Sequence, residues 1–133
     1  MAAFHFELVS PEKLMFSGEV ESVVLSSTEG EMTVLKDHAP LMAAMRPCVI
    51  VVEETAGKKS QIFVQGGFAE ISPKGLTVLA EEALPLEQLD AARLDAQATA
   101  LEEELKAAQS DEAARAASEK LSQLRELRTA IKI

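Results

Sequence analysis

The chain has 133 residues and carries 22 acidic against 13 basic side chains, a formal charge of −9, which opposes binding to phosphate backbones because these demand clustered Lys and Arg. Hydrophobic residues make up 47% of it and aromatics only 4%, with no Trp or Tyr, so the core must be aliphatic and platforms for stacked bases are scarce. A single cysteine, Cys48, excludes an internal disulfide framework and a Cys-based zinc cluster; with no signal-like N-terminus and no run near the ~20 apolar residues of a membrane span, a soluble, cytosolic chain is expected, reaching a membrane only through a partner.

Phe4, Phe6 and Leu8 alternate with His5, Glu7 and Val9, the period-two pattern of a strand with one buried face. Ser10-Pro11-Glu12-Lys13 breaks it. Leu14 to Phe16 reads as a brief strand, Val20 to Ser26 as a longer one, and Thr28-Glu29-Gly30 as the turn into Met32 to Leu35. That buried-looking run stops abruptly at Asp37-His38 and Pro40 before Leu41-Met42, the kind of edge where a β domain meets a partner. Leu41 to Met45 follows, and then Cys48 to Glu53, whose β-branched content is the strongest strand signal in the chain. Ala56-Gly57-Lys58-Lys59 is a hairpin turn before Gln61 to Gln65, Gly66-Gly67 allows a bulge or a close backbone approach, and Phe68 to Ile71 and Leu76 to Leu79 end the series. About ten short antiparallel strands imply a sandwich or flattened barrel over residues 1–84.

After Pro85 the pattern changes to a helical period over residues 85–133. Leu94, Ala98, Leu101, Leu105 and Ala108 draw one apolar seam; Ala114, Ala117, Leu121, Leu124 and Ile131 draw a second, interrupted at Arg128. Glu102–Lys106 and Asp111–Arg115 are spaced as i,i+4 ion pairs on outer faces. Only Ser110-Asp111 separates the helices, good N-cap residues but a soft stop. An antiparallel hairpin is therefore favoured, and a longer straight helix remains open. The fold class is α+β in two parts, an antiparallel β-sandwich followed by a two-helix hairpin.

The residues assemble no enzyme. Asp37-His38 has no nucleophile beside it, and two histidines and one cysteine far apart make no zinc site. Gly66-Gly67 lacks the Lys and hydroxyl of a phosphate loop. Glu102, Glu103 and Glu104 point about 100° apart on a helix, so they form a solvated face and not a metal site. Asp90 and Arg93, at i,i+3, read as a surface ion pair.

Taken together, Leu8-Val9-Ser10-Pro11-Glu12, Met15-Phe16-Ser17-Gly18-Glu19-Val20, Glu29-Gly30-Glu31-Met32 to His38-Ala39-Pro40-Leu41, Gly66-Gly67-Phe68 and Leu76-Thr77-Val78-Leu79-Ala80, with the helical tail, resemble the ε subunit of bacterial F-type ATP synthases. The resemblance covers nearly the whole chain. It implies a ten-stranded sandwich with two helices, serving as a non-catalytic rotor component of the central stalk that clamps γ and rests on the ring of c subunits. It places Glu31 toward the ring and Ser10, His38 and Met42 near γ, so that Gly30 to Leu41 becomes a short spacer with two contact ends. It makes the tail a regulatory part able to extend toward the α and β subunits and block ATP hydrolysis, and the location peripheral, on the cytoplasmic side of the bacterial inner membrane.

No cofactor is implied beyond ATP as a weak regulatory ligand, through a motif matched by Leu89, Asp90 and Arg93. Leu94 stands where that motif has alanine, and Ala100 supplies no cation. One arginine is too few donors for a phosphate chain. The competing reading is a free-standing sandwich adaptor that dimerises through its helical seams.

Overall fold

The computed structural model describes residues 3–55 and 57–130; the expected turn residue Ala56 and seam residue Ile131 lie outside the described residues. Nine strands and two long helices follow in order: β1 (Phe4–Val9), β2 (Leu14–Ser27), β3 (Gly30–Val34), β4 (Leu41–Met45), β5 (Cys48–Glu54), β6 (Lys59–Val64), β7 (Gly67–Ser72), β8 (Gly75–Ala80), β9 (Ala83–Pro85), α1 (Ala91–Ala107) and α2 (Asp111–Ala130).

The two strands expected at Leu14–Phe16 and Val20–Ser26 are one 14-residue strand, β2. Its first half pairs with β1, Phe4 opposite Val20 and Leu8 opposite Phe16. Its second half lies between β3 and β5, Val23 facing Val34 on one side and Val52 on the other. A register irregularity between Val20 and Ser22 marks the corner. An extra residue in one strand bends it and raises its twist, which lets β2 leave one layer and enter the other. One layer thus runs β2–β1–β8–β7–β4 and the other β3–β2–β5–β6–β9.

Inward residues of both layers close the core: Phe6, Leu8, Val23, Ile50, Val64 and Val78 have no more than 0% relative exposure. Cys48 is buried among them, and burial pushes its thiol up to about 11, so it stays protonated and unreactive. Gly66-Gly67 carries the chain from β6 in one layer to β7 in the other. A Cβ at Gly67, where φ is +129°, would run into the carbonyl oxygen of Leu79, so the pair serves a close approach of backbones.

Two expectations need correction. The run before Asp37 is buried only at Val34, and Leu35 is 55% exposed. Leu76–Leu79 is not the last strand, because β9 adds to β6 with Phe63 opposite Leu84. Three residues bounded by acidic Glu81-Glu82 and ending in Pro85 carry little strand signal, and Pro85 is tolerated because β9 is an edge. The chain divides into two compact units between Glu87 and Gln88.

In the second unit the helices form an antiparallel hairpin, with the expected seam residues Leu94 and Leu101 of α1 and Ala117, Leu121 and Leu124 of α2 buried. Glu102 does not pair with Lys106 along its own helix; its Oε1 accepts a hydrogen bond from Arg125 Nη2 across the hairpin at 2.8 Å. Ser110 is the N-cap of α2, its Oγ accepting from the Ala113 amide at 3.1 Å.

Candidate functional site

The strands of the first layer set one exposed row of apolar side chains. Val9 lies opposite Leu14 on β2 and beside Leu79 on β8; Leu79 lies opposite Phe68 on β7, and Phe68 opposite Ala44 on β4. Side chains that face each other across a ladder share a side of the sheet, so Leu14, Val9, Leu79, Phe68 and Ala44 cross five strands on the outer face. Met42 stands in the next row, opposite Glu70, which itself faces Thr77. Leu14, Phe68 and Leu79 are 55%, 55% and 56% exposed and Met42 63%. Contiguous apolar surface rimmed by polar groups marks an interaction site.

The same face carries an ionic cluster. His5 Nε2 lies 2.9 Å from Glu7 Oε1 and Nδ1 3.1 Å from Glu19 Oε2. Both nitrogens can donate at once only in the imidazolium, and the hydrogen bond to Glu7, followed by that to Glu19, raises the His5 pKa above its ordinary 6.5.

The residues singled out in the sequence fall in separate places. Met42 lies on the apolar face. Ser10 follows Val9 at the end of β1 and closes a turn, its Oγ accepting from the Lys13 amide at 3.3 Å. Glu31 is exposed at the start of β3, held by a tight turn in which Ser27 Oγ donates to the Gly30 carbonyl at 3.1 Å and accepts from the Glu29 amide at 3.2 Å. His38 lies beyond the other end of β3, in a reversal where Asp37 adopts a φ of 64° and the His38 amide donates to the Leu35 carbonyl at 3.2 Å. Its Nδ1 is 2.9 Å from the Ala39 carbonyl, which makes Nδ1 the donor. Glu31 and His38 thus stand at opposite ends of one short strand.

In the helical unit, Leu89 is buried. Asp90 is the N-cap of α1, its Oδ1 accepting from the Arg93 amide at 2.8 Å, so the two residues are joined by a backbone cap. Arg125 and Arg128 of α2 border a groove of about 280 Å³, where carboxylates face them: Glu102 at 2.8 Å from Arg125 and Asp95 at 3.9 Å from Arg128. Among the described residues no cluster of His, Cys, Asp and Glu could hold a metal, and no helix is long and apolar enough to cross a membrane.

The apolar row was not singled out from the sequence. Leu76 to Ala80 reads as an apolar run broken only by Thr77, yet Leu79 lies in phase with that outward Thr77, and Phe68 in phase with Glu70. An apolar residue at a polar phase was the available signal.

Residues 3–86 match the family model described as ATP synthase, Delta/Epsilon chain, beta-sandwich domain. This defines the class: a delta/epsilon-type sandwich followed by a helical hairpin. The chain is 47% identical over 124 residues to the ATP synthase epsilon chain of Parvibaculum lavamentivorans, covering 93% of this chain and 94% of that one. It is 45% identical over 129 residues to the ATP synthase epsilon chain of Mesorhizobium japonicum, covering 97% and 96%. In fold it matches a chain in the cryo-EM structure of the Euglena gracilis mitochondrial ATP synthase, OSCP/F1/c-ring, with a TM-score of 0.75 at 24% identity, over 99% of this chain and 83% of that one. The chain belongs to the ATP synthase epsilon-chain family, as a non-catalytic subunit of the rotor stalk.

Proposed function

We propose that the chain docks on γ through the outer face of the β2–β1–β8–β7–β4 layer and transmits rotation of the c-ring to the catalytic head of a proton-translocating ATP synthase. The observation that carries this reading is the row Leu14, Val9, Leu79, Phe68 and Ala44 with Met42 beside it: a rigid sheet presents apolar side chains to water that only a partner would cover. Glu31, fixed by the Ser27 turn, faces the ring, and Ser10 and His38 flank γ. The separation of Glu31 and His38 along β3 suits a spacer held between two partners. The hairpin is the regulatory part and reaches the α and β subunits when it extends. The protein is peripheral, held on the cytoplasmic side of the bacterial inner membrane by these partners.

The adaptor reading loses its interface, because the apolar seams close on each other within one chain. ATP is at most a weak ligand of the hairpin: Asp90 caps α1, and Arg125 and Arg128 of α2 already face carboxylates. Titration of the full chain with ATP is expected to give no saturable heat below millimolar concentration. The docking reading is tested by mixing the chain with γ: a stoichiometric complex on gel filtration is expected, and separate migration at micromolar concentration overturns it.

A further inference from the structure

Away from the docking face, the two layers of the sandwich part along one side. Residues 14–19 of β2 pair only with β1, so they form the edge of the first layer. In the other layer β9 covers Ile62–Val64 of β6 and leaves Lys59–Gln61 unpaired on that side. Between these edges lies a groove of about 680 Å³, within the ordinary ~300–1,000 Å³ range of small-molecule sites.

Its floor is apolar, formed by half-buried Met15 and Phe16 with buried Ile62, and Pro85 and Leu86 close it. The Phe16 ring centroid is 5.4 Å from that of fully buried Phe6, so the floor continues into the core of the sandwich. The rim is cationic. Lys58 and Lys59 stand there, exposed, and neither forms an ion pair with a carboxylate among the described residues; Glu87 is the one acidic side chain lining the groove. In a chain of net charge −9, two adjacent cations without an ion-pair partner beside an apolar floor are selective chemistry, even with Glu53 opposite Lys59 on β5. They fit a ligand with one anionic head and an apolar tail: the side chains of Met15, Phe16, Ile62, Pro85 and Leu86 suit the tail, Ser60 and Gln61 line the groove beside the cations, and an ammonium is a compact point charge on a flexible stem that can close over a carboxylate.

We propose that this groove binds a monomeric long-chain carboxylate, with its acyl chain along Met15, Phe16 and Leu86 and its carboxylate between Lys58 and Lys59. The site is separate from the face assigned to γ, so its failure and that of the docking reading are independent.

The test is an NMR titration of the isotope-labelled full chain with dodecanoate below its micelle concentration. Saturable shifts are expected at Met15, Phe16, Lys59 and Ile62. The double variant Lys58→Glu, Lys59→Glu should weaken binding about tenfold or more, as should replacing dodecanoate by neutral dodecanol, since a charge-assisted pair is lost in each case. The milder Lys58→Gln, Lys59→Gln variant, expected to shift affinity in the same direction, serves if charge reversal disturbs the fold. Absence of saturation, shifts confined to other surfaces, equal affinity for dodecanol, or binding to phosphatidylglycerol vesicles without binding to free dodecanoate would each overturn the proposal.

Discussion

Phe68 on β7 and Leu79 on β8 lie directly opposite each other on the outer face of the sheet, each more than half exposed at 55% and 56%. A cross-strand apolar pair of this kind stabilises a sheet modestly, ~0.2–1 kcal/mol, and its larger effect comes when a partner removes it from water.

Phe68→Glu separates those two roles. Folding stability should change by no more than about 1 kcal/mol, because the side chain is already in solvent. Binding of γ should weaken by about 2 kcal/mol or more, some thirtyfold, as for an aromatic anchor at the centre of an interface. Urea unfolding and a binding titration on the same preparation check both. Unchanged affinity for γ would move the interface off this face.

His5 supplies the pH dependence. Its imidazolium bridges Glu7 and Glu19, and the folded-state pKa lies above the ordinary 6.5. A group whose pKa is raised on folding binds its proton more tightly in the native state. The stabilisation is therefore fully present below pH 6.5 and is lost as pH rises through the raised value. An NMR titration should place the His5 midpoint above 6.5, and Glu7→Gln should lower it more than Glu19→Gln, because the hydrogen bond to Glu7 is the larger cause. A His5 midpoint at or below 6.5 would show that the bridge does not persist in solution.

The hydrophobic alternation of Phe4 to Val9 and the seams of the helical unit were legible because a single periodic signal dominated each. The corner in β2 was not, since Ser17-Gly18 looks like a break and a one-residue irregularity near Glu21 leaves no compositional mark. The exposed apolar row was hidden by a second conflict. Leu79 looks like core by composition and like surface by phase, and only the pairing with Phe68 and Val9 settles which applies. The roles given to Glu31, Ser10 and His38 came from resemblance alone; geometry adds that each sits in a hydrogen-bonded turn that fixes its position.

Gln97 breaks the apolar pattern of α1 between buried Leu94 and Leu101. It is 9% exposed, and its Nε2 and Oε1 are both buried without a hydrogen-bond partner. Leaving polar atoms unsatisfied costs about 1–3 kcal/mol. Gln97→Leu keeps the volume and removes the polar atoms, so the helical unit should gain about 1–2 kcal/mol. Gln97→Ala should gain less, because the vacated space offsets the relief. Thermal unfolding followed at the helical circular dichroism band distinguishes them; destabilisation by Gln97→Leu would show that the amide has a partner in solution.

The link between α1 and α2 sets the cost of straightening the tail. Ala108 leaves the helix with an extended ψ of 130°, and α2 restarts at the Ser110 cap. That cap contributes about 1 kcal/mol, and Asp111 adds a favourable charge at the positive end of α2, ~0.3–1 kcal/mol. Ser110→Ala with Asp111→Ala removes both and supplies the best helix formers, so a continuous helix becomes the nearer competitor. Spin labels at Glu103→Cys and Glu119→Cys report it: helices packed side by side hold them ~10 Å apart, whereas 16 residues of straight helix place them ~24 Å apart. Buried Cys48, held protonated, needs no replacement. The double variant should enlarge the long-distance population and, in the assembled enzyme, lower ATP hydrolysis. A straightened tail with an unchanged hydrolysis rate would leave the hairpin without an inhibitory role.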